Sequence, residues 1–217
     1  MSLRSILRSL WTAGRGVLVG LPEATETSDP LELFGAWLKA AEESGIIEPT
    51  AMTLATASVD GAPSARTVLL KAFGEDGFVF YTNYGSRKAG QLEENDQAAL
   101  VFYWSVLARQ VSIEGRVERV SRETSAAYFA TRARGSQLGA WASRQSEPLV
   151  SRDELLTRYE AEKKRFDGRD VECPPFWGGY RLIPRRIQFW QGRADRLHDR
   201  VLFERTDQGW ESTRLNP

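Results

Sequence analysis

The stretch Met52-Thr53-Leu54-Ala55-Thr56-Ala57-Ser58-Val59, continued by the turn Asp60-Gly61 and by residues 64–71, decides the fold class of this chain. Both runs have the period of two that is typical of β-strands, in which alternate side chains point to opposite faces of a sheet. Asp-Gly between two such runs favours a tight turn, because both residues tolerate the left-handed backbone that hairpin turns need. The segment therefore predicts a β-hairpin.

Further strand-like runs predict a mainly β chain with helical insertions. These runs are residues 77–82, 98–104, 109–120, 179–190, 201–204 and 210–215. A helix is expected to begin near Pro30, with Ser28 or Asp29 as its cap, and others are expected at 87–94, 121–132 and 151–166. Many short strands with few helices favour a barrel or a sandwich. The lack of a parallel βαβ repeat or a GxGxxG loop argues against a Rossmann dinucleotide enzyme.

Length and composition predict one globular domain at residues 29–217, preceded by an N-terminal arm at residues 1–28. The chain has 217 residues, of which 41% are hydrophobic and 27% are charged, and these fractions are ordinary for a soluble protein. Its first 22 residues carry Arg4, Arg8 and Arg15 without an acid and have apolar residues at helical spacing. This pattern fits either a targeting peptide or a helix docked on the domain.

Charge balance and the scarcity of metal-binding side chains exclude several classes of protein. Lys plus Arg and Asp plus Glu both number 29, so no global field attracts a nucleic acid or an anionic membrane. No apolar run reaches the ~20 residues that span a bilayer, and a cytoplasmic location is expected. Cys173 is the only cysteine and His198 the only histidine, so neither an internal disulfide nor a Cys/His metal site is expected. Redox chemistry would need an organic cofactor.

The first candidate anion site is the segment of residues 81–88, which ends a strand and opens a helix. Unpaired amides at a helix start, hydroxyls from Thr82 and Ser86, and the cations of Arg87 and Lys88 together suit a phosphate group. An ordinary helix cap with two solvated cations would explain the same residues equally well.

The second candidate site lies near residue 130. Tyr128 and Arg132 stand four apart and would share a helical face, while Gly135 is expected to end that helix and Ser136 to begin another. An arginine, a phenol and a hydroxyl suit a second phosphate. An amphipathic surface helix would show the same spacing.

The third candidate is Arg196-Leu197-His198-Asp199-Arg200. In an extended chain Arg196, His198 and Arg200 point the same way, so two guanidinium groups would flank the imidazole. Such neighbours favour the neutral ring, which can accept a proton or a hydrogen bond. A single histidine is more often structural, but a cluster of like charges has an electrostatic cost that folding does not require, and this favours a functional role.

Nine runs of residues occur in an order that resembles one enzyme family. They are Arg66-Thr67-Val68-Leu69-Leu70-Lys71, Phe80-Tyr81-Thr82-Asn83 with Ser86-Arg87-Lys88, Arg109-Gln110-Val111, Ser136-Gln137-Leu138-Gly139-Ala140-Trp141, Arg144-Gln145-Ser146, Trp177-Gly178-Gly179, Phe189-Trp190-Gln191-Gly192, Arg196-Leu197-His198-Asp199-Arg200 and Arg214-Leu215-Asn216-Pro217. Their order and spacing from about residue 29 to the C-terminus resemble the FMN-dependent pyridoxamine/pyridoxine 5′-phosphate oxidases. Each run alone is a weak signal, whereas nine in order are specific.

The resemblance implies a split β-barrel of Greek-key type, a homodimer with FMN between the subunits, and two sets of ligands. The residues implied for FMN are Arg66, Thr67, Val68, Leu69, Leu70, Lys71, Tyr81, Thr82, Arg87, Lys88, Gln110, Gln145, Ser146, Trp190 and Arg200. Those implied for the substrate are Lys71, Tyr128, Arg132 and Ser136 at its phosphate, with Arg196 and His198 at the reacting end as the catalytic pair. No metal is expected.

The activity implied by the resemblance is oxidation of pyridoxamine and pyridoxine 5′-phosphate to pyridoxal 5′-phosphate. Dioxygen would accept the electrons, giving hydrogen peroxide, and the amine substrate would also release ammonia. Two alternatives remain open, namely a related FMN oxidase of another planar metabolite of the phenazine type, and a flavin-binding or B6-binding module without turnover. Whether His198 acts as a base or only positions the substrate is also open.

Overall fold

The computed structural model describes residues 29–217, and the expectations for the arm at residues 1–28 lie outside the described residues. The first element is helix α1 (Pro30–Glu43). Asp29 caps this helix, since its carboxylate accepts a hydrogen bond from the backbone N–H of Leu31 at 2.8 Å. Pro30 suits the first turn because a helix has no partner for an N–H there. The predicted start of the helix is confirmed.

One antiparallel sheet of nine strands forms the framework of residues 29–217, which confirms the mainly β prediction. The strands are β1 (Ala51–Ala57), β2 (Pro63–Leu69), β3 (Ala72–Gly74), β4 (Gly77–Asn83), β5 (Gln97–Trp104), β6 (Arg109–Arg119), β7 (Trp177–Gln191), β8 (Asp199–Thr206) and β9 (Gly209–Leu215). Their order is β2-β1-β5-β6-β7-β4-β3, with β8 on β7 and β9 on β8. β1 and β2 form the predicted hairpin.

Strand β7 organises the sheet, because its 15 residues pair with β4, β6 and β8. The register of β6 against β7 shifts between Glu114 and Gly115. A Cβ at Gly115 would lie 2.0 Å from the carbonyl oxygen of Ile183, so only glycine fits there. A bulge of this kind bends a strand and strengthens its twist, and the sheet curls into a half-barrel.

The core lies on one face of the curled sheet and includes the buried side of α1. Phe34 packs edge-on against Phe78 and Phe102 at centroid distances of 5.0 and 5.1 Å, and Trp37 packs against Phe189 at 5.2 Å. Edge-to-face pairs of this kind are favourable beyond the area they bury. A second apolar cluster, around Phe129, joins the helical insertions to the start of β7.

Four further helices interrupt the strands: α2 (Arg87–Glu94), α3 (Arg122–Ala130), α4 (Arg134–Ala142) and α5 (Arg152–Arg165). The bounds predicted for α2 are confirmed. The prediction that Gly135 ends a helix and Ser136 begins the next is wrong, because α3 already ends at Ala130 and Gly135 lies in the first turn of α4. The extended backbone of Ala133 makes the break instead (φ −54°, ψ 137°).

Among residues 29–217, no helix is long and apolar enough to cross a membrane.

Candidate active site

A cleft of about 940 Å³ opens between strands β2 and β4 and helices α3 and α4. Most of the predicted ligand-binding residues line it: Arg66, Thr67, Val68, Leu69, Lys71, Tyr81, Thr82, Lys88, Tyr128, Arg132, Ser136 and Gln145. None of the described residues that line the cleft is acidic. A concave site of this volume with converging cations suits a large anionic ligand.

Arg66 on β2 lines the cleft, and its hydrogen-bond partners are all neutral groups. Its guanidinium donates to the hydroxyl oxygens of Thr56 at 2.7 Å and Ser64 at 2.6 Å, and to the carbonyl oxygen of Leu54 at 3.1 Å. Burial lowers the pKa of Arg66, and the nearby charge of Arg87 lowers it further. An arginine stays protonated even so, and its charge is therefore available to an anion.

Lys88 lies beside Arg66 and is also bound only by neutral groups. Its ammonium donates to Gln145 Oε1 at 2.8 Å, Thr82 Oγ1 at 3.1 Å and Ser86 Oγ at 3.2 Å. Burial, assisted by the charge of Arg66, lowers the pKa of Lys88 to about 8. A bound anion would oppose both effects, because an opposite charge favours the protonated form.

Arg66, Lys88 and the start of α2 together form the cationic corner of the cleft. Ser86 is the N-cap residue and is buried, but its side chain makes no capping hydrogen bond and accepts one from Lys88 instead. The backbone N–H of Arg87 donates to Ser146 Oγ at 3.2 Å. Arg87 and Ser146 are exposed and do not line the cleft, although both border it.

A stack of aromatic rings forms one wall of the cleft. The Tyr81 ring lies 4.0 Å from that of Tyr128 and 5.4 Å from that of Trp177, with nearly parallel planes. The Arg132 guanidinium lies 4.7 Å from the Trp177 ring centroid, a cation–π contact. Arg132 Nη1 is buried without a hydrogen-bond partner among the described residues. A buried unpaired donor is costly, and an anionic ligand would satisfy it.

Several cleft residues were not assigned a role from the sequence: Asn83, Ala133, Gly139, Ala140, Ser143 and Trp177. The signal in the sequence that could have pointed to Trp177 is the pair of glycines that follows it, Gly178 and Gly179, because glycine leaves room for a neighbouring ring. Tyr81 and Gly179 are partners in the β4–β7 ladder, and a Cβ at Gly179 would lie 2.8 Å from Cε1 of Tyr81. Only glycine at position 179 lets the Tyr81 ring keep its place in the stack.

The other predicted ligand residues do not line the cleft of their own chain. They are Leu70, Arg87, Gln110, Ser146, Trp190, Arg196, His198 and Arg200. Leu70 is buried in the core. Gln110, Trp190 and Arg200 are paired across β6, β7 and β8, and directly opposed residues share a face of a sheet. They form a row on the face opposite the core.

His198 lies beside this row. Its ring centroid is 4.7 Å from that of Trp190, and its Nδ1 accepts a hydrogen bond from the backbone N–H of Arg193 at 3.1 Å. Since an acceptor nitrogen carries no proton, the neutral ring has its proton on Nε2. The Arg193 side chain forms an ion pair with Asp199 at 2.8 Å. This pair joins the two ends of the loop between β7 and β8.

The prediction that the chain is extended from Arg196 to Arg200 is wrong. Residues Ala194–Arg196 form a short 3₁₀ turn, in which Asp195 and Arg196 have left-handed backbones with φ of 56° and 61°. Strand β8 begins only at Asp199, so the alternation of an extended chain does not reach Arg196. Two consecutive non-glycine residues in this conformation are strained, and such strain is concentrated at functional sites.

No group of three or more His, Cys, Asp or Glu side chains in residues 29–217 is arranged to hold a metal ion.

Comparison with known proteins identifies the family. The family profile described as pyridoxamine 5′-phosphate oxidase matches residues 38–165, and the profile described as the pyridoxine 5′-phosphate oxidase C-terminal dimerisation region matches residues 177–217. The chain belongs to the pyridoxamine 5′-phosphate oxidase family. The predicted family is thus confirmed.

Relatives within the family cover nearly the whole chain. The pyridoxine/pyridoxamine 5′-phosphate oxidase of Rubrobacter xylanophilus is 60% identical over 198 residues, 91% of each chain. That of Psychromonas ingrahamii is 51% identical over all 217 residues, 100% of each chain.

Solved structures share the fold. PhzG from Burkholderia lata 383, in complex with tetrahydrophenazine-1-carboxylic acid, superposes with a TM-score of 0.87 at 32% identity and covers 93% of this chain and 100% of its own. A pyridoxamine 5′-phosphate oxidase-related, FMN binding protein from Nostoc punctiforme superposes with a TM-score of 0.71 at 20% identity, covering 88% and 100%, which shows the fold alone.

Proposed function

We propose that this protein is an FMN-dependent oxidase that converts pyridoxamine and pyridoxine 5′-phosphate to pyridoxal 5′-phosphate. One observation carries the proposal: a single cleft without acidic lining contains two cationic groups, namely Arg66 with Lys88 and, after helix α3, Arg132, together with Lys71. Two groups of this kind fit two monophosphates, one on a cofactor and one on a substrate. The names of the relatives from Rubrobacter and Psychromonas agree with this assignment.

Arg66 and Lys88 would hold the phosphate of FMN, assisted by Arg87 at the start of α2. The other proposed flavin ligands of the cleft are Thr67, Val68, Leu69, Lys71, Tyr81, Thr82, Gln145 and the bordering Ser146, with Leu70 packed behind them. When bound, FMN would supply the two-electron acceptor for the oxidation, with dioxygen as the final oxidant and hydrogen peroxide as its product. The unpaired charges of the corner favour a terminal monophosphate. FMN rather than FAD is therefore expected on heat extraction and chromatography.

Arg132, Tyr128, Ser136 and Lys71 would hold the substrate phosphate. Support comes from the buried Nη1 of Arg132, which has no partner among the described residues and which a phosphate oxygen would satisfy. The stacked rings of Tyr81, Tyr128 and Trp177 give this end of the cleft an aromatic wall. Holding the substrate in one orientation can contribute up to roughly 7–11 kcal/mol to catalysis.

We propose a homodimer in which the C-terminal cluster of one protomer completes the cleft of its partner. This cluster consists of Gln110, Trp190, Arg196, His198 and Arg200, and none of its residues lines the cleft of its own chain. All but Gln110 fall in the region whose family profile is described as a dimerisation region. Light scattering should give twice the mass of one chain, and a fully active monomer would contradict the shared site.

His198 would act as a hydrogen-bond donor and would not be the base. Its Nδ1 faces the N–H of Arg193, so Nε2 already carries the proton of the neutral ring and can donate it to the C4′ hydroxyl oxygen of the substrate. The proton that this hydroxyl loses on oxidation would then pass to solvent water. Arg196, held in its left-handed turn, would orient the same end of the substrate.

A phenazine-type oxidase is the second candidate, because PhzG from Burkholderia lata shares the fold at 32% identity. Peroxide release by the purified FMN-loaded protein separates the two. Pyridoxamine 5′-phosphate and pyridoxine 5′-phosphate are expected to give peroxide, and a phenazine precursor is not. Turnover of the phenazine precursor alone would replace the proposal, and no turnover of any of the three would leave a binding module.

The affinity for FMN is expected to fall as the pH rises through about 8. In the ligand-free protein the pKa of Lys88 is lowered to about 8, so above that pH the lysine must take up a proton before it can pair with the phosphate. The phosphate itself, with a second pKa near 6, stays a dianion from pH 7 to 9, so the loss should approach about tenfold per pH unit. Fluorescence titration of the apoprotein measures it.

Two controls accompany this titration. Lys88→Arg keeps the charge throughout the range and should flatten the pH dependence. Riboflavin, which has no phosphate, should bind with the same affinity at pH 7 and pH 9. Equal pH dependence for FMN and riboflavin would remove Lys88 from the phosphate site.

A further inference from the structure

We propose that Gln91 is a positioning residue, which aims Arg66 at the cofactor phosphate and keeps its charge uncompensated. This inference rests on the proposed role of Arg66 in binding FMN. Gln91 lies in α2, does not line the cleft and is buried, with 7% of its surface exposed. It acts on the ligand only through Arg66.

The contacts form a two-layer network. Gln91 Oε1 accepts hydrogen bonds from Thr56 Oγ1 and Ser64 Oγ, both at 2.7 Å. The same two hydroxyl oxygens accept from Arg66, at 2.7 and 2.6 Å. A hydroxyl has one proton to give. Gln91 takes that proton from each hydroxyl and thereby turns both oxygens towards the guanidinium as acceptors.

The charge of the network matters as much as its geometry. Arg66 has no ion pair with a carboxylate among the described residues, and the Gln91 oxygen stands 3.4 Å from Arg66 Nη2. A glutamate at position 91 could accept the same two hydroxyl bonds, but its negative charge would pair with Arg66 and compete with a phosphate. The amide therefore orients the arginine without neutralising it.

The position of Gln91 also links the two cations of this corner. Lys88 and Gln91 are three residues apart in α2 and are neighbours on its surface. One turn of α2 thus carries the ammonium of Lys88 and the amide that sets the direction of Arg66 on β2. If Gln91 only held α2 against the sheet, changing it would weaken the binding of ligands with and without a phosphate by the same factor.

Affinities for FMN and riboflavin, measured on the same apoprotein by flavin fluorescence, separate these roles. Gln91→Glu should weaken FMN about tenfold or more, since a buried opposite charge offsets much of the arginine's attraction for phosphate. Its affinity for riboflavin should stay within about twofold of native. Gln208→Glu, an exposed change in the turn between β8 and β9, adds the same charge and should leave both affinities native.

Ser64→Ala tests the same role of Gln91 if the Gln91→Glu protein fails to fold. It removes the hydroxyl between Gln91 and Arg66 at a half-buried position of the edge strand β2, and it should weaken FMN severalfold while riboflavin is unaffected. Native FMN affinity in the variants, or an equal loss for FMN and riboflavin, would overturn the role of Gln91. Failure of the native protein to bind FMN would instead refute the proposed function.

Discussion

Replacing Arg132 by alanine is expected to raise the KM for pyridoxamine 5′-phosphate by about 30- to 100-fold, with kcat within a few-fold of native. Hydrogen bonds to charged groups contribute about 1.5–3 kcal/mol. The phosphate lies away from the reacting carbon, so this energy is the same in the ground and transition states, and its loss appears in KM. Steady-state peroxide release at saturating FMN measures both constants.

Pyridoxamine without a phosphate is the internal control for this prediction. Because it cannot use Arg132, the native protein and Arg132→Ala should turn it over with equal, low efficiency. Arg152→Ala, which removes an arginine charge from an exposed position at the start of α5, should behave as native with every substrate. A fall in kcat at unchanged KM, or loss of FMN from Arg132→Ala, would show that Arg132 serves the reaction centre or the cofactor.

Replacing His198 by alanine is expected to lower the rate of flavin reduction by pyridoxine 5′-phosphate about 100-fold, since a misplacement of about 1 Å can cost that much. His198→Gln keeps an N–H donor at similar reach and has no group that can act as a base. If His198 is a donor, His198→Gln should recover most of the rate. Anaerobic stopped-flow measurement of flavin reduction isolates this step from the reaction with dioxygen.

The His198→Gln variant also defines the result that would contradict the donor role. Both variants should remain yellow and dimeric. A His198→Gln protein as slow as His198→Ala would restore the role of base.

Much of the fold could be predicted from local pattern, because it depends on short-range chemistry. The period of two at residues 52–59 predicted β1, and Asp29 before Pro30 predicted the start of α1. Arg87 and Lys88 at a strand-to-helix junction predicted the cationic corner. In each case neighbouring residues determine the result.

The rest could not be predicted because it depends on contacts between distant residues. Trp177 enters the site by stacking with Tyr81, which requires the β4–β7 register and the missing side chain of Gly179. The role proposed for Gln91 follows only from its hydrogen bonds with Thr56 on β1 and Ser64 on β2. Asp195 and Arg196 adopt consecutive left-handed backbones, a conformation that aspartate tolerates but that nothing in the side chain of arginine favours.

The shared site is tested most directly by mixing two variants that each damage a different part of it. Arg132→Ala damages the cleft and His198→Ala damages the C-terminal cluster. In a hybrid dimer, the intact cleft of one protomer meets the intact cluster of the other at one of the two sites. The variants are denatured together, refolded with FMN and assayed at a substrate concentration well below KM, where each alone is nearly inactive.

If half of the dimers are hybrids, a two-fold dimer with shared sites should regain about a quarter of the native activity. A mixture that stays as inactive as its two components, although the hybrids have formed and hold FMN, would contradict the shared site, because each site would then be built from one chain alone.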